Sequence, residues 1–172
     1  KFFFFSYSNN PTILENFLPR TSKREKIGSI YEIPFNMIIF LESLFNKLKK
    51  KGGACLIIDY AKNKHFGNSL KSIKKQEIIN PLNMIGKSDI STHVNFDLVK
   101  KISKKFNLIS SGPTNQRNFL IKLGILLRVE ILMRNANSKQ KKMLKNGLNF
   151  LINKNKMGKI FNVISISNKK IN

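Results

Sequence analysis

Asp59, Asp89 and His93 are the side chains whose types and positions best suit charge or proton chemistry in this sequence. Asp59 closes the run Gly52-Gly53-Ala54-Cys55-Leu56-Ile57-Ile58-Asp59-Tyr60, which reads as a buried strand ending in a carboxylate and the phenol of Tyr60. In α/β sheets, ligands gather beyond the carboxyl ends of the strands. Asp89 and His93 belong to Ser88-Asp89-Ile90-Ser91-Thr92-His93-Val94-Asn95-Phe96, at the end of a long polar loop. A histidine near an aspartate can accept or pass a proton close to neutral pH. Asn95 and Gln116 are further polar groups expected near strand ends, and Glu32, before Pro34, either reaches the same sheet edge or merely ends its own strand. Plainer roles stay open. His93 also fits a hydrogen-bonded structural histidine, Asp89 a local cap for Ser91 or Thr92, and Gln116 a helix N-terminal cap.

The remaining inventory excludes several chemistries. Carboxylates are limited to Glu15, Glu25, Glu32, Glu42, Asp59, Glu77, Asp89, Asp97 and Glu130, a short supply for a two-metal hydrolase. His65, His93 and a single cysteine make a poor zinc set, and no metal is expected. Neither a nucleophile elbow nor a phosphate-binding glycine loop is present. Cys55 lies inside the apolar run as a small core residue, so no internal disulfide can form and a reducing compartment is the simpler reading.

Helices and strands must position these groups. Phe2-Phe3-Phe4-Phe5 reads as part of a strand from Lys1 to Tyr7, followed by the turn cluster Ser8-Asn9-Asn10-Pro11 and a polar segment from Arg20 to Lys26. Ile27 to Ile33 reads as extended. Pro34 then suits the start of a helix with Ile38, Leu41, Phe45 and Leu48 on one face, lysines in its last turn and Gly52 as its stop. Asn95 can cap a helix carrying Leu98, Val99, Ile102 and Phe106. A short strand from Asn107 to Ser111 is expected to stop at Gly112-Pro113. Thr114 or Asn115 caps the next helix, which Gly124 punctuates. Ser138 caps another, with Met143, Leu144, Leu148 and Leu151 facing inward. Met157-Gly158 is a turn before a last strand, Ile160 to Ile166, and residues 167–172 are expected to form a disordered tail. This order is that of the second half of a doubly wound α/β domain, spanning residues 1–166. The absence of an initiator Met at Lys1 gives the expectation of a piece of a longer protein.

The net charge of +23 invites a nucleic-acid reading, but the arginines are only Arg20, Arg24, Arg117, Arg128 and Arg134, and the lysines are spread along most of the helices. A Lys-rich nucleic-acid-binding module therefore stands as the alternative. No window approaches the roughly 18–20 apolar residues of a membrane span, so no membrane insertion is expected.

Four motifs then carry a family resemblance. Gly53-Ala54-Cys55-Leu56-Ile57-Ile58-Asp59-Tyr60 resembles the GGAALxIDYG stretch of the MidA family of class I S-adenosylmethionine-dependent methyltransferases. Gly67-Asn68-Ser69-Leu70-Lys71-Ser72 is similar to its GDTLQA, Asp89 to Phe96 to its DLTAHVDF, and Gln116, Phe119-Leu120 and Gly124-Ile125 to its TQxxFLxxLGI. Tyr31-Glu32-Ile33-Pro34 and Met157-Gly158 with Phe161 resemble two further family stretches. The resemblance implies the C-terminal half of a Rossmann-like methyltransferase sheet with helical insertions, using S-adenosyl-L-methionine to methylate arginine in a protein. It implies Asp59, Asp89 and His93 as catalytic groups and Glu32, Tyr60, Asn95 and Gln116 as substrate-binding ones. It also implies a protein substrate such as a core subunit of respiratory complex I, and a home in the bacterial cytoplasm or mitochondrial matrix; a homodimer is compatible with it. The family's glycine-rich donor loop lies upstream of the matched motifs, so the chain alone is expected to be inactive. Ala61 and Asn95 stand where the family has glycine and aspartate. A non-catalytic scaffold of the same fold is the remaining alternative.

Overall fold

Proline has no N–H to offer a helix interior, and Pro34 stands immediately before α1 (Phe35–Lys51). Ile38, Leu41, Phe45 and Leu48 are the buried residues of α1, on the expected stripe. Lys49, Lys50 and Lys51 fill the last turn, where the helix dipole favours cations. Gly52 takes a left-handed φ of 77° and donates to Leu48 O at 2.9 Å, which closes the helix. Asn168 clamps the turn, its Oδ1 accepting from Gly53 N at 3.1 Å.

The structure is a computed structural model that describes residues 4–6, 8–10, 18, 26–61 and 67–169. The strand expected at Lys1–Tyr7 and the polar segment from Arg20 fall mostly outside these residues, and Phe4 to Ser6, inside them, belong to no strand. His65 lies outside them too. Ile27 to Ile33 forms no strand either; it opens on a turn in which Ser29 N donates to Lys26 O at 3.1 Å. The chain divides into two compact units, one of Lys1–Asn36 and Asn63–His93, the other of Met37–Lys62 and Val94–Asn172.

The second unit is built on a three-stranded sheet of β1 (Ala54–Tyr60), β5 (Ile109–Asn115) and β6 (Phe161–Ser167), in the order β1-β6-β5. Both outer strands run antiparallel to β6 and so parallel to each other, with the last strand inserted between them. The stripe of α1 packs with Phe96, Val99 and Ile102 of α2 (Phe96–Lys105) and with Ile164 and Ile166 of β6. Each such side chain contributes about 1.5–3 kcal/mol when fully buried. Phe45 meets Phe106 edge-on at 6.4 Å.

The α/β class is therefore as expected, but β1 is not buried on both faces. Cys55 and Ile57 pack against the core, while Leu56 and Ile58 are 50% and 45% exposed. Among the described residues the helices α1 and α2 supply the core on one face, and β1 is an edge strand. Burial raises the Cys55 thiol above its ordinary range, partly offset by a hydrogen bond with the Ile166 backbone. The neutral thiol is thus favoured in the folded chain, and the unfolded thiol ionises first as pH rises. Its contribution to stability is intact below the ordinary thiol pKa of about 8.5 and falls above it. Cys55 is expected to react with iodoacetamide more slowly in the folded chain than in denaturant at the same pH, read by mass spectrometry.

β5 does not stop at Gly112-Pro113. It continues to Asn115 through a register shift between Ser111 and Thr114, and the Gly112–Pro113 peptide is cis. A bulge is where a strand tolerates proline. From β5 the chain runs through α3 (Gln116–Lys122), α4 (Ile125–Arg134), α5 (Ser138–Ile152) and α6 (Met157–Ile160) into β6. The cap of α5 is Asn137, not Ser138, because Asn137 and Gln140 form a reciprocal capping box, each bond 2.9 Å long. Met157-Gly158 opens the one-turn α6 instead of a plain turn. The tail expected from residue 167 is overruled at its start: Ser167 is buried in β6 and its Oγ donates to Lys169 O at 2.7 Å. Residues 170–172 lie outside the described ones.

The first unit holds a second sheet where the sequence predicts a polar loop. β2 (Lys71–Lys74), β3 (Glu77–Ile79) and β4 (Asp89–Ser91) form an antiparallel sheet in the order β3-β2-β4. Lys75 and Gln76 make the two-residue hairpin with φ of 49° and 69°. The residues of this unit that are buried among those described are serines, Ser69 and Ser72.

Candidate functional site

A strand register carries polar groups as strictly as apolar ones. Cys55, Ile57 and Asp59 pair with Ile166, Ile164 and Asn162, so the core face of the β1–β6 ladder turns polar at its last pair. Asn115 of β5 pairs with the same Asn162. Asp59, Asn162 and Asn115 thus form a row across the sheet at the carboxyl ends of β1 and β5. Asp59 is half-buried, with Oδ1 accepting from Tyr60 N at 2.7 Å. The Tyr60 ring lies 4.2 Å from that of Phe161. Val94 returns to this edge, where its N–H donates to Tyr60 O at 2.8 Å and it bridges Ala61 in parallel.

Two of the expected site residues on this unit hold helices. Asn95 caps α2, accepting from Leu98 N at 3.0 Å, a task asparagine performs as well as the aspartate of the family pattern. Gln116 is buried at the start of α3, where Asn115 is the cap; its Nε2 donates to Leu151 O at 2.9 Å. Arg117 Nη1 donates to Ile152 O, also at 2.9 Å. Together they satisfy two carbonyls of the last turn of α5, which have no partner within their own helix.

The first unit gathers three separate stretches of sequence into one knot. Glu32 Oε1 accepts from Ser69 N at 2.7 Å and Leu70 N at 3.2 Å, while Oε2 accepts from Ser69 Oγ. Ser69 Oγ in turn accepts from His93 N at 3.0 Å. Glu32, Ser69 and His93 come from the Tyr31–Pro34, Gly67–Ser72 and Asp89–Phe96 motifs, so these motifs meet in space as well as in order. Asp89 is exposed at the head of β4, opposite Ile73, and its carboxylate holds no ion pair or hydrogen bond among the described residues. Ser69→Ala is expected to cost about 1–3 kcal/mol, because His93 N loses its acceptor and Glu32 a donor. Faster hydrogen exchange at the His93 amide, with α1 amides unchanged, checks it.

Asp59 and Tyr60 therefore belong to one unit, and Asp89, His93 and Glu32 to the other. Ser69 and Asn162 were not singled out from the sequence. Ser69 lay inside a motif whose serine has no chemistry of its own, and Asn162 only becomes visible through its register with Asp59. The chain's adjacent glycine pair, Gly52-Gly53, closes the turn before β1, at the far end of the strand from Asp59. Among the described residues no glycine-rich turn follows the carboxyl end of a strand, and no cluster of three His, Cys, Asp or Glu could hold a metal ion. No helix among them is long and apolar enough to cross a membrane.

Residues 1–114 match the family described as "Putative S-adenosyl-L-methionine-dependent methyltransferase". The zebrafish (Danio rerio) protein arginine methyltransferase NDUFAF7, mitochondrial, is 26% identical over 95% of this chain and 38% of its own length. The rat (Rattus norvegicus) protein of the same name is 27% identical over 90% of this chain and 35% of its own. The chain thus spans little more than a third of these relatives. A crystal structure of a Burkholderia thailandensis protein bound to S-adenosyl-homocysteine shares the fold, with a TM-score of 0.63 at 21% identity over 76% of this chain and 35% of that one. A second native structure from that organism gives 0.66 at 23% identity, covering 76% and 36% of the two chains.

Proposed function

The chain belongs to the S-adenosyl-L-methionine-dependent methyltransferase family, and on that premise we propose that it forms the substrate-facing part of a protein arginine methyltransferase. The observation that carries the reading is the pair of carboxylates, Asp59 at a sheet's carboxyl edge and Asp89 on β4, each followed by family motif residues. Residues 1–166 form, in this reading, the C-terminal part of one methyltransferase domain. The relatives' names support arginine in a protein as the acceptor and the mitochondrial matrix as the location. A complex I core subunit is the substrate we favour.

The methyl donor, when bound, supplies an electrophilic carbon on a sulfonium; its cradle is not among the described residues. What this chain's residues do is hold the acceptor. A guanidinium is cationic and must be brought close to another cation, so fixed carboxylates that offset its charge lower the barrier. On the second unit Asp59, next to Tyr60, suits that role; on the first unit Asp89 does, with His93 as the group that takes the proton the nitrogen loses. Glu32 and Ser69 position His93 through its backbone, and Asn95 and Gln116 support the helices. Incubating the full-length protein with methyl-labelled donor and a mitochondrial extract is expected to place label on protein arginine. Label confined to nucleic acid or to lysine would remove the reading.

A further inference from the structure

α4 and α5 pack on each other, yet neither has a buried residue, contrary to the inward face expected for α5. Met143 is 65% exposed, and Leu144, Leu148 and Leu151 are only half-buried. The apolar spacing is that of a core-facing helix, so its uncovered stripe calls for a partner. Between the two helices runs an open groove of about 630 Å³, lined by Ile125, Val129 and Leu132 from α4 and Met143, Leu144 and Leu148 from α5. Gly147 lies on its wall, and a Cβ placed there would meet nothing within 4 Å. That leaves room for side chains of an incoming segment over the α5 backbone.

Charge then says what kind of segment. Leu148 also lines an adjoining depression of about 490 Å³, whose charged residues are Arg117, Lys145 and Lys154, with no carboxylate among its lining residues. Glu130, the sole carboxylate from Leu123 to Phe161, is already paired with Arg134 at 3.3 Å. A second copy would bring the same cations face to face, and the net charge of +23 opposes it. We propose that this groove docks an acidic amphipathic helix of a partner protein, its apolar side chains over Gly147 and its carboxylates against Arg117, Lys145 and Lys154. The mode is a helix laid in a groove, read through anchors three and four residues apart. It does not depend on methyl transfer.

The test uses the full-length protein and a labelled synthetic helix of roughly 15 residues. Leucines are spaced three and four apart with glutamates on the flanks; a second peptide carries lysine in place of glutamate. Fluorescence anisotropy is expected to show binding of the acidic peptide, with the basic one weaker by about tenfold or more. Gly147→Leu fills the groove with a better helix former, so binding should drop about tenfold or more while the melting temperature does not fall. Lys145→Glu with Lys154→Glu should weaken the acidic peptide and strengthen the basic one. Equal binding of the two peptides, binding unchanged in Gly147→Leu, or binding only of phosphatidylserine–phosphatidylcholine vesicles or single-stranded RNA would overturn the proposal. Absent peptide binding alongside intact methyl transfer would overturn it and leave the methyltransferase reading standing.

Discussion

Replacing Gly112 by alanine is expected to remove a large share of the second unit's stability, about 2–6 kcal/mol from two additive causes. Gly112 has φ of 106°, a conformation that costs a residue with a Cβ about 1–3 kcal/mol. The added Cβ would also stand 2.7 Å from Val163 O and 3.3 Å from the Ile164 Cα, inside the β5–β6 ladder, where overpacking costs about 1–3 kcal/mol. Neither neighbour is a side-chain tip that can swing away; both are backbone of the central strand. Against a total of about 5–15 kcal/mol for an ordinary domain, the change leaves little margin. Gly124→Ala is the comparison, because its φ of 80° is similar but open space surrounds the new Cβ. Urea unfolding followed by circular dichroism checks both. Equal losses at the two positions would show that contact with Val163 is not the cause.

Where the sequence was legible, one physical signal dominated. The period of Ile38, Leu41, Phe45 and Leu48, with proline before and glycine after, located α1 and its buried face. Asn95 as a cap followed in the same way from a polar residue ahead of an apolar period. The failures share a cause as well. β2 and β3 are short and meet at Lys75-Gln76, which lacks the glycine or asparagine that marks such hairpins, so the segment read as loop. Gly112-Pro113 carries the strongest local stop signal in its stretch, but pairing with β6 overrides it through a bulge. The apolar stripe of α5 signalled an apolar face correctly, yet none of its residues is buried among the described residues. Residue types alone nominated Asp59, Asp89 and His93 as candidates, while the contacts of Glu32 and Gln116 reach 37 and 35 residues along the sequence. Local pattern cannot report such contacts.

The second large effect concerns Asp89. Asp89→Asn keeps the side chain's shape at an exposed strand position, where substitutions usually change stability by less than about 0.5 kcal/mol. Any loss of activity is then chemical. If the proposed arginine reading holds, neutralising this carboxylate removes charge that offsets the approach of two cations, and such fixed electrostatic contacts are worth about 10²–10³ in rate. Glu32→Gln makes the contrast: its Oε1 still accepts from Ser69 N and Leu70 N, only the bond from Ser69 Oγ loses its acceptor, and the rate is expected to fall far less.

The most direct measurement pairs two quantities on the full-length protein, wild type and Asp89→Asn: the initial rate of methylarginine formation and the dissociation constant of S-adenosyl-homocysteine. The expected result is a rate about 100-fold lower with the dissociation constant within about twofold of wild type. An unchanged rate, or no methylarginine from the wild-type protein with the donor product bound, would contradict a carboxylate rim for arginine.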